Sequence, residues 1–150
     1  MNTAVRDKAL NLLSYRAHSR RELLDKLKRK ISCSDQDLEE VLNWLEELGF
    51  LNDRAYAASV VRHAVSKGYG INRITAELAR HGIAKELWDD ALTEIPENDD
   101  MLDRLVESKL RDAEDRDEVR KVSAALVRRG YTWDEVRRAI ERVTQDVDTF

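Results

Sequence analysis

Residues 74–95 lie over residues 122–143 without a gap, and that register sets Ala76 on Ala124, Leu78 on Leu126, Arg80 on Arg128, Gly82 on Gly130 and Ala91 on Ala139. The N-terminal third follows with one extra residue before its last helix, placing Leu27 on Leu78 and Leu126, and Leu38 on Trp88 and Val136. A repeat of about 50 residues confines a chain to architectures in which similar units stack and bury part of their apolar surface against a neighbour. The shared glycines tie this period to helix ends, which the Leu, Ala and Arg content common to helical proteins would not do.

Apolar residues recur at helical spacing inside each unit: Leu23, Leu24 and Leu27; Leu38, Val41, Leu42, Leu45 and Leu48; Val136, Ala139, Ile140 and Val143. Nine helices are predicted, at 3–16, 19–30, 34–48, 53–66, 71–81, 84–95, 99–112, 117–129 and 132–146. Ser19 with Glu22 and Thr132 with Glu135 have the spacing of a capping box, in which two side chains satisfy orphaned backbone donors at a helix start. Ser34 and Asp53 are expected N-caps, and Gly49, Gly82 and Gly130 fall just past helix ends, where a left-handed backbone favours glycine. One proline and five glycines are too little punctuation for a many-turned β protein. The expected fold class is therefore all-α: three tandem three-helix modules, 1–52, 53–96 and 97–150, in an elongated array that can curve. Pro96 and the acidic run after it mark a linker.

The chain is 37% charged and carries a net charge of −4, with a pI near 5.5, which disfavours a dedicated nucleic-acid domain. That average conceals blocks. Residues 1–30 hold nine basic and three acidic side chains, residues 31–60 one and seven, residues 61–85 five and one, and residues 86–103 none and eight. Surface patches of both signs are expected. Cys33 is the single cysteine, so no internal disulfide forms and a reducing, cytoplasmic setting fits. With neither a long apolar run nor a signal-type N-terminus, the chain reads as soluble, neither exported nor membrane-spanning.

Catalysis leaves local signatures, and none is visible: no phosphate-binding glycine loop, no HExxH, no paired cysteines. The sequence predicts no enzyme, no catalytic residues, no metal and no cofactor. His18, His63 and His81 are expected to be solvated, as are Asp89, Asp90, Asp99 and Asp100 at helix ends. Trp44 and Trp88 fall on apolar helix faces and read as core, whereas Tyr69 and Tyr131, beside loop glycines, are the expected exposed aromatics. What remains is a recurring basic cluster at the end of each module's second helix: Lys28, Arg29 and Lys30; Arg80 and His81; Arg128 and Arg129. Arg29, Arg80 and Arg128 share one register position. Cations there offset the helix dipole by about 0.3 to 1 kcal/mol each; equally, a threefold recurrence lays positive charge along one side of an extended molecule, suited to an acidic, repetitive partner. Arg20, Arg21, Lys26, Lys67 and Arg73 extend the cluster.

The same residues carry a resemblance. Ser19-Arg20-Arg21-Glu22-Leu23 with Lys26 and Leu27, Gly49-Phe50-Leu51-Asn52-Asp53 with Tyr56 and Ala57, and Lys67-Gly68-Tyr69-Gly70 followed by Arg73, Ile74, Glu77, Leu78, His81, Gly82 and Ile83 are similar in order and spacing to the RecX family. Arg128-Arg129-Gly130-Tyr131 resembles that family's third-module signature, while His81 stands where the family more often has lysine, asparagine or arginine. The resemblance implies a cytoplasmic, monomeric regulator that binds the RecA protein filament and mainly inhibits its ATPase, strand-exchange and SOS-coprotease activities, with at most weak contact to single- or double-stranded DNA. The partner-binding residues expected on this basis are Arg20, Arg21, Lys26, Arg29, Lys30, Lys67, Tyr69, Arg73, Arg80, His81, Arg128, Arg129 and Tyr131. The alternative is a helix-turn-helix-like nucleic-acid-binding protein, which three-helix units bearing arginines near the second helix resemble superficially.

Overall fold

The computed structural model describes the backbone of residues 1–148 and the side chains of residues 1–145, and within them the ordered elements are all helical. The helices are α1 (Thr3–Tyr15), α2 (Arg20–Lys30), α3 (Asp35–Glu47), α4 (Asp53–Ser66), α5 (Ile71–Arg80), α6 (Trp88–Leu92), α7 (Asp100–Lys109), α8 (Arg116–Arg128) and α9 (Trp133–Asp148). Capping explains most of the starts. The hydroxyl of Ser19 accepts the Glu22 N–H while the Glu22 carboxylate accepts the Ser19 N–H, both at 3.1 Å, and Thr132 with Glu135 repeats the exchange at 3.0 and 3.1 Å. Ser34 caps α3 through the Asp37 N–H. Each such cap contributes about 1 kcal/mol.

Three expectations need correction. The helix predicted at 84–95 is instead a single 3-10 turn, Lys85–Leu87, followed by the five-residue α6. Ala84 at its start has no side-chain acceptor to offer, and the Trp88 indole N–H bonds the Ile83 carbonyl at 2.9 Å, which ties the turn to the preceding loop. Helix α7 stops at Lys109 rather than at 112, because the Glu118 carboxylate takes the N–H groups of Arg111 and Asp112 and so removes the need for further helical bonds. The cap of α4 is Asn52, whose side chain accepts the Ala55 N–H at 3.1 Å. The Asp53 carboxylate turns elsewhere and accepts the Arg20 N–H at 2.9 Å, satisfying an orphaned donor of α2.

The chain divides into two compact units. Unit one is residues 1–60 with 78–92, and unit two is residues 61–77 with 93–150. In unit one, Val5 and Ala9 of α1, Leu23 and Leu27 of α2, and Leu38, Val41, Leu42 and Leu45 of α3 form a core closed by Leu51. Trp44 and Cys33 pack partly buried against it. In unit two, Leu102 and Val106 of α7, Val122 and Leu126 of α8, and Val136 and Ala139 of α9 form the core, with Tyr131 among them. These are the i, i+3, i+4 positions of each helix, so burying them is what turns three short helices, marginal alone, into a stable unit.

Candidate partner-binding surfaces

In unit one the start of α2 meets the end of α5. Ser19 Oγ donates to the His81 carbonyl at 2.6 Å, and a Cβ at Gly82 would lie 2.8 Å from Arg21 Cβ, so the turn after α5 fits against α2 only because residue 82 has no side chain. Around this junction a polar network is wrapped. Arg16 donates to Glu22 at 3.1 Å and to the Tyr56 hydroxyl at 3.2 Å. His81 Nδ1 lies 3.1 Å from that hydroxyl and 3.4 Å from the Glu22 carboxylate, while Arg80 donates to His81 Nε2 at 3.2 Å. The Tyr56 and His81 rings meet edge to face at 5.7 Å.

Burial alone would raise the Glu22 carboxyl, but hydrogen bonds from the Ser19 N–H, Tyr56 and Arg16 hold it down to about 2. Burial and the hydrogen bond to Glu22 push Tyr56 up to about 12. Beneath the network His18 is 3% exposed, a correction to its expected solvation. Its Nδ1–H donates to the Arg16 carbonyl at 3.0 Å, and its Nε2 accepts from Lys26 Nζ at 2.9 Å, an arrangement that requires neutral imidazole. Burial lowers its pKa, as it lowers that of Lys26. His81 is also half-buried and bonded rather than solvated, whereas His63 is exposed as expected.

These shifts set a pH dependence. The folded form of His18 resists protonation, so its contribution is complete above the ordinary imidazole range near 6.5 and is lost as pH falls and the unfolded chain takes up the proton first. The contribution of Glu22 is complete above the usual carboxylate range and is lost as pH falls towards about 2. Thermal melts should therefore show stability declining in two stages on acidification. His18→Gln should remove the upper stage and Glu22→Gln the lower, the latter worth about 1 to 2 kcal/mol after screening. A single-stage decline unchanged by His18→Gln contradicts this assignment.

In unit two the start of α5 meets the end of α8 in a similar way. The Gly70 N–H bonds the Arg129 carbonyl at 2.9 Å and the Asn72 N–H bonds the Gly130 carbonyl at 3.0 Å. A Cβ at Gly70 would lie 2.5 Å from the Tyr131 nitrogen, and one at Gly130 2.5 Å from both Arg73 N and Arg73 Cβ. The two sequence signatures Lys67-Gly68-Tyr69-Gly70 and Arg128-Arg129-Gly130-Tyr131 are thus one contact, built backbone to backbone. Arg129 donates to the Lys67 carbonyl at 2.9 Å, and Arg73 stacks on Tyr69 at 4.5 Å while pairing with Glu77 at 3.1 Å.

The thirteen expected partner-binding residues accordingly separate. Arg29, Lys30, Lys67 and Arg128 are exposed, as is Lys28 beside them; Arg80 is exposed while bonded to His81. Arg21 is exposed and paired with Asp25. Arg20 is bound by Glu39 and Glu46, both at 2.8 Å, so the basic first block and the acidic second block neutralise one another here instead of forming separate patches. Lys26, Arg73 and Arg129 are engaged in the contacts just described. Tyr69 is half-buried. Tyr131 is a core residue at 8% exposure, which overturns its expected role as an exposed aromatic; the exposed rings are Tyr15 at 81%, Trp133 at 59% and Phe50 at 57%. The network residues Arg16, Glu22 and Tyr56 were not among the expected site residues, and only the Ser19–Glu22 capping box gave a local sign of them.

Among the described residues no group of three or more His, Cys, Asp or Glu side chains is placed to hold a metal ion, and no helix is long and apolar enough to cross a membrane.

Family models describing the first, second and third three-helix domains of RecX match residues 6–45, 52–92 and 97–140. The regulatory protein RecX of Vibrio campbellii is 34% identical, with 94% of this chain and 92% of that protein covered. The regulatory protein RecX of Halorhodospira halophila is 36% identical, with 95% and 90% covered. The crystal structure of RecX from Lactobacillus salivarius superposes with a TM-score of 0.80 at 26% identity, covering 95% of this chain and 96% of the other. The architecture is three three-helix domains in tandem.

Proposed function

Because the chain belongs to the RecX family, we propose that it binds the RecA filament and modulates, mainly by inhibition, its ATPase, strand-exchange and SOS-coprotease activities. In this reading it acts in the cytoplasm as a monomer, through modules 1–52, 53–96 and 97–150, without an enzymatic activity or cofactor of its own. The supporting observation is the extent of the family match: all three domains occur in order, and the relatives named as regulatory proteins are covered over nine-tenths of their length. Exposed basic turns at the ends of α2, α5 and α8 supply several separate weak contacts, and linking such contacts raises avidity on a repetitive partner without any single strong site.

The test is retention on RecA filaments assembled on single-stranded DNA with nucleotide, compared with naked duplex DNA. Binding to the filament is expected to be tighter at physiological salt, where charge acts over only about 8 Å and a net acidic chain has little hold on phosphate. Equal affinity for naked duplex moves the assignment to the helix-turn-helix-like nucleic-acid binder.

A further inference from the structure

Unit two contains a cavity of about 340 Å³ where the start of α5, the approach to α7 and the start of α9 come together. Its walls are apolar: Tyr69, Ile71, Ile74, Ile95 and Met101 all line it. Its rim is acidic, with Asp99, Asp100 and Glu135 against the single cation Arg104. From residue 93 to residue 103 the chain carries five carboxylates and no basic side chain. Asp99 stands at the start of α7 yet makes no capping hydrogen bond, and Arg142, 3.7 Å from it, is drawn closer to Asp103 at 2.8 Å. With Glu135 also held by the Thr132 N–H, the three carboxylates face Arg104 and a share of Arg142, so the rim keeps a net negative charge.

We propose that this cavity docks a protein segment in which an aliphatic or aromatic residue is followed by lysine or arginine. The apolar side chain fills the walls, where leaving water is favourable, and the cationic head reaches the carboxylates at the rim while its methylene stem covers Ile95 and Met101. A polynucleotide does not fit, since its phosphates meet carboxylates of the same sign. The cavity is opposite in charge to the basic turns at the helix ends, so this proposal goes beyond filament binding and does not depend on it.

The probe is a fluorescein-labelled peptide, Gly-Leu-Arg-Lys-Leu-Gly, titrated into the full chain, with a second peptide carrying glutamate in place of arginine and lysine. The basic peptide is expected to bind about tenfold or more tighter than the acidic one. Asp100→Lys should weaken it by about tenfold, whereas Glu107→Lys, the same charge change at an exposed position of α7 outside the cavity, should weaken it by less than about twofold. Met101→Gln leaves the charge unchanged and should weaken both peptides, and circular dichroism establishes that each variant is folded. Amide shifts on binding should centre on Tyr69, Met101 and Tyr131. No binding, equal losses from Asp100→Lys and Glu107→Lys, or shifts centred on Trp133 would overturn the proposal. Inhibition of RecA is measured on the same proteins: retained inhibition by Asp100→Lys with peptide binding lost supports an independent site, and failure of the filament pulldown with peptide binding intact counts against the RecA reading alone.

Discussion

Gly130→Ala is expected to destabilise unit two by about 3 kcal/mol or more, placing it among the most damaging single-methyl additions this chain can suffer. Two causes add. The residue has φ of +107°, where an L side chain is strained by about 1 to 2 kcal/mol, and the new Cβ would fall 2.5 Å from both Arg73 N and Arg73 Cβ. Neither neighbour is the free end of a flexible side chain, so relief requires the start of α5 to move away from α8 and to give up the bonds at Gly70 and Asn72. Gly49 is the internal control. It has φ of +81° with nothing within 4 Å of a Cβ, so Gly49→Ala should cost only the backbone strain, about 1 to 2 kcal/mol. Urea unfolding followed by circular dichroism compares the two variants, and similar losses would mean that the α5–α8 approach is looser than described.

Reversing Arg29, Arg80 and Arg128 together to glutamate should weaken inhibition of the RecA ATPase by more than about tenfold while costing a few kcal/mol of stability at most. All three side chains are exposed at the last turn of their helices. Arg80 also bonds His81, and a glutamate there would stand near the Glu22 network, so the Arg29→Glu and Arg128→Glu pair is the cleaner comparison. If these arginines only offset helix dipoles, the folded variants inhibit fully. If they face acidic protomers, each reversal repels and the losses compound across linked modules. A near-native melt with inhibition lost supports the second outcome; an early melt with inhibition intact while folded supports the first.

Much of the fold could be read from local rules because the features concerned have local partners. The boxes at Ser19–Glu22 and Thr132–Glu135 close within one turn, and the apolar spacings within α2, α3 and α9 are the ones the cores bury, apart from Leu48, which lies past the end of α3 and is 52% exposed. Asp53 shows where local reasoning ends: by type and position it is a good cap for α4, but Asn52 precedes it and the Arg20 N–H, 33 residues away, competes for its carboxylate. His18, His81 and Tyr131, expected in solvent, depart from that expectation for the same physical reason. Each finds partners on another helix or in a core, and the polar or aromatic character that suggested solvent exposure is satisfied there. Of the candidate site, the basic helix-end residues Arg29 and Arg128 are exposed, whereas the glycine motifs at Gly70 and Gly130 form a packing contact.

The two glycine junctions also govern the order of assembly. Ser19 to His81 and Lys67 to Arg129 each close 62 residues of chain, an entropic cost that is recovered only after both helix ends exist. On this ground the three-helix cores with short connections are expected to form first and the close backbone contacts at Gly82 and Gly130 late, which Gly→Ala variants would show as faster unfolding at an unchanged folding rate. Interactions absent from the folding transition state act on the unfolding rate and leave the folding rate nearly untouched. How long the folded chain persists, as distinct from how quickly it is reached, is thus set in large part at residues that have no side chain.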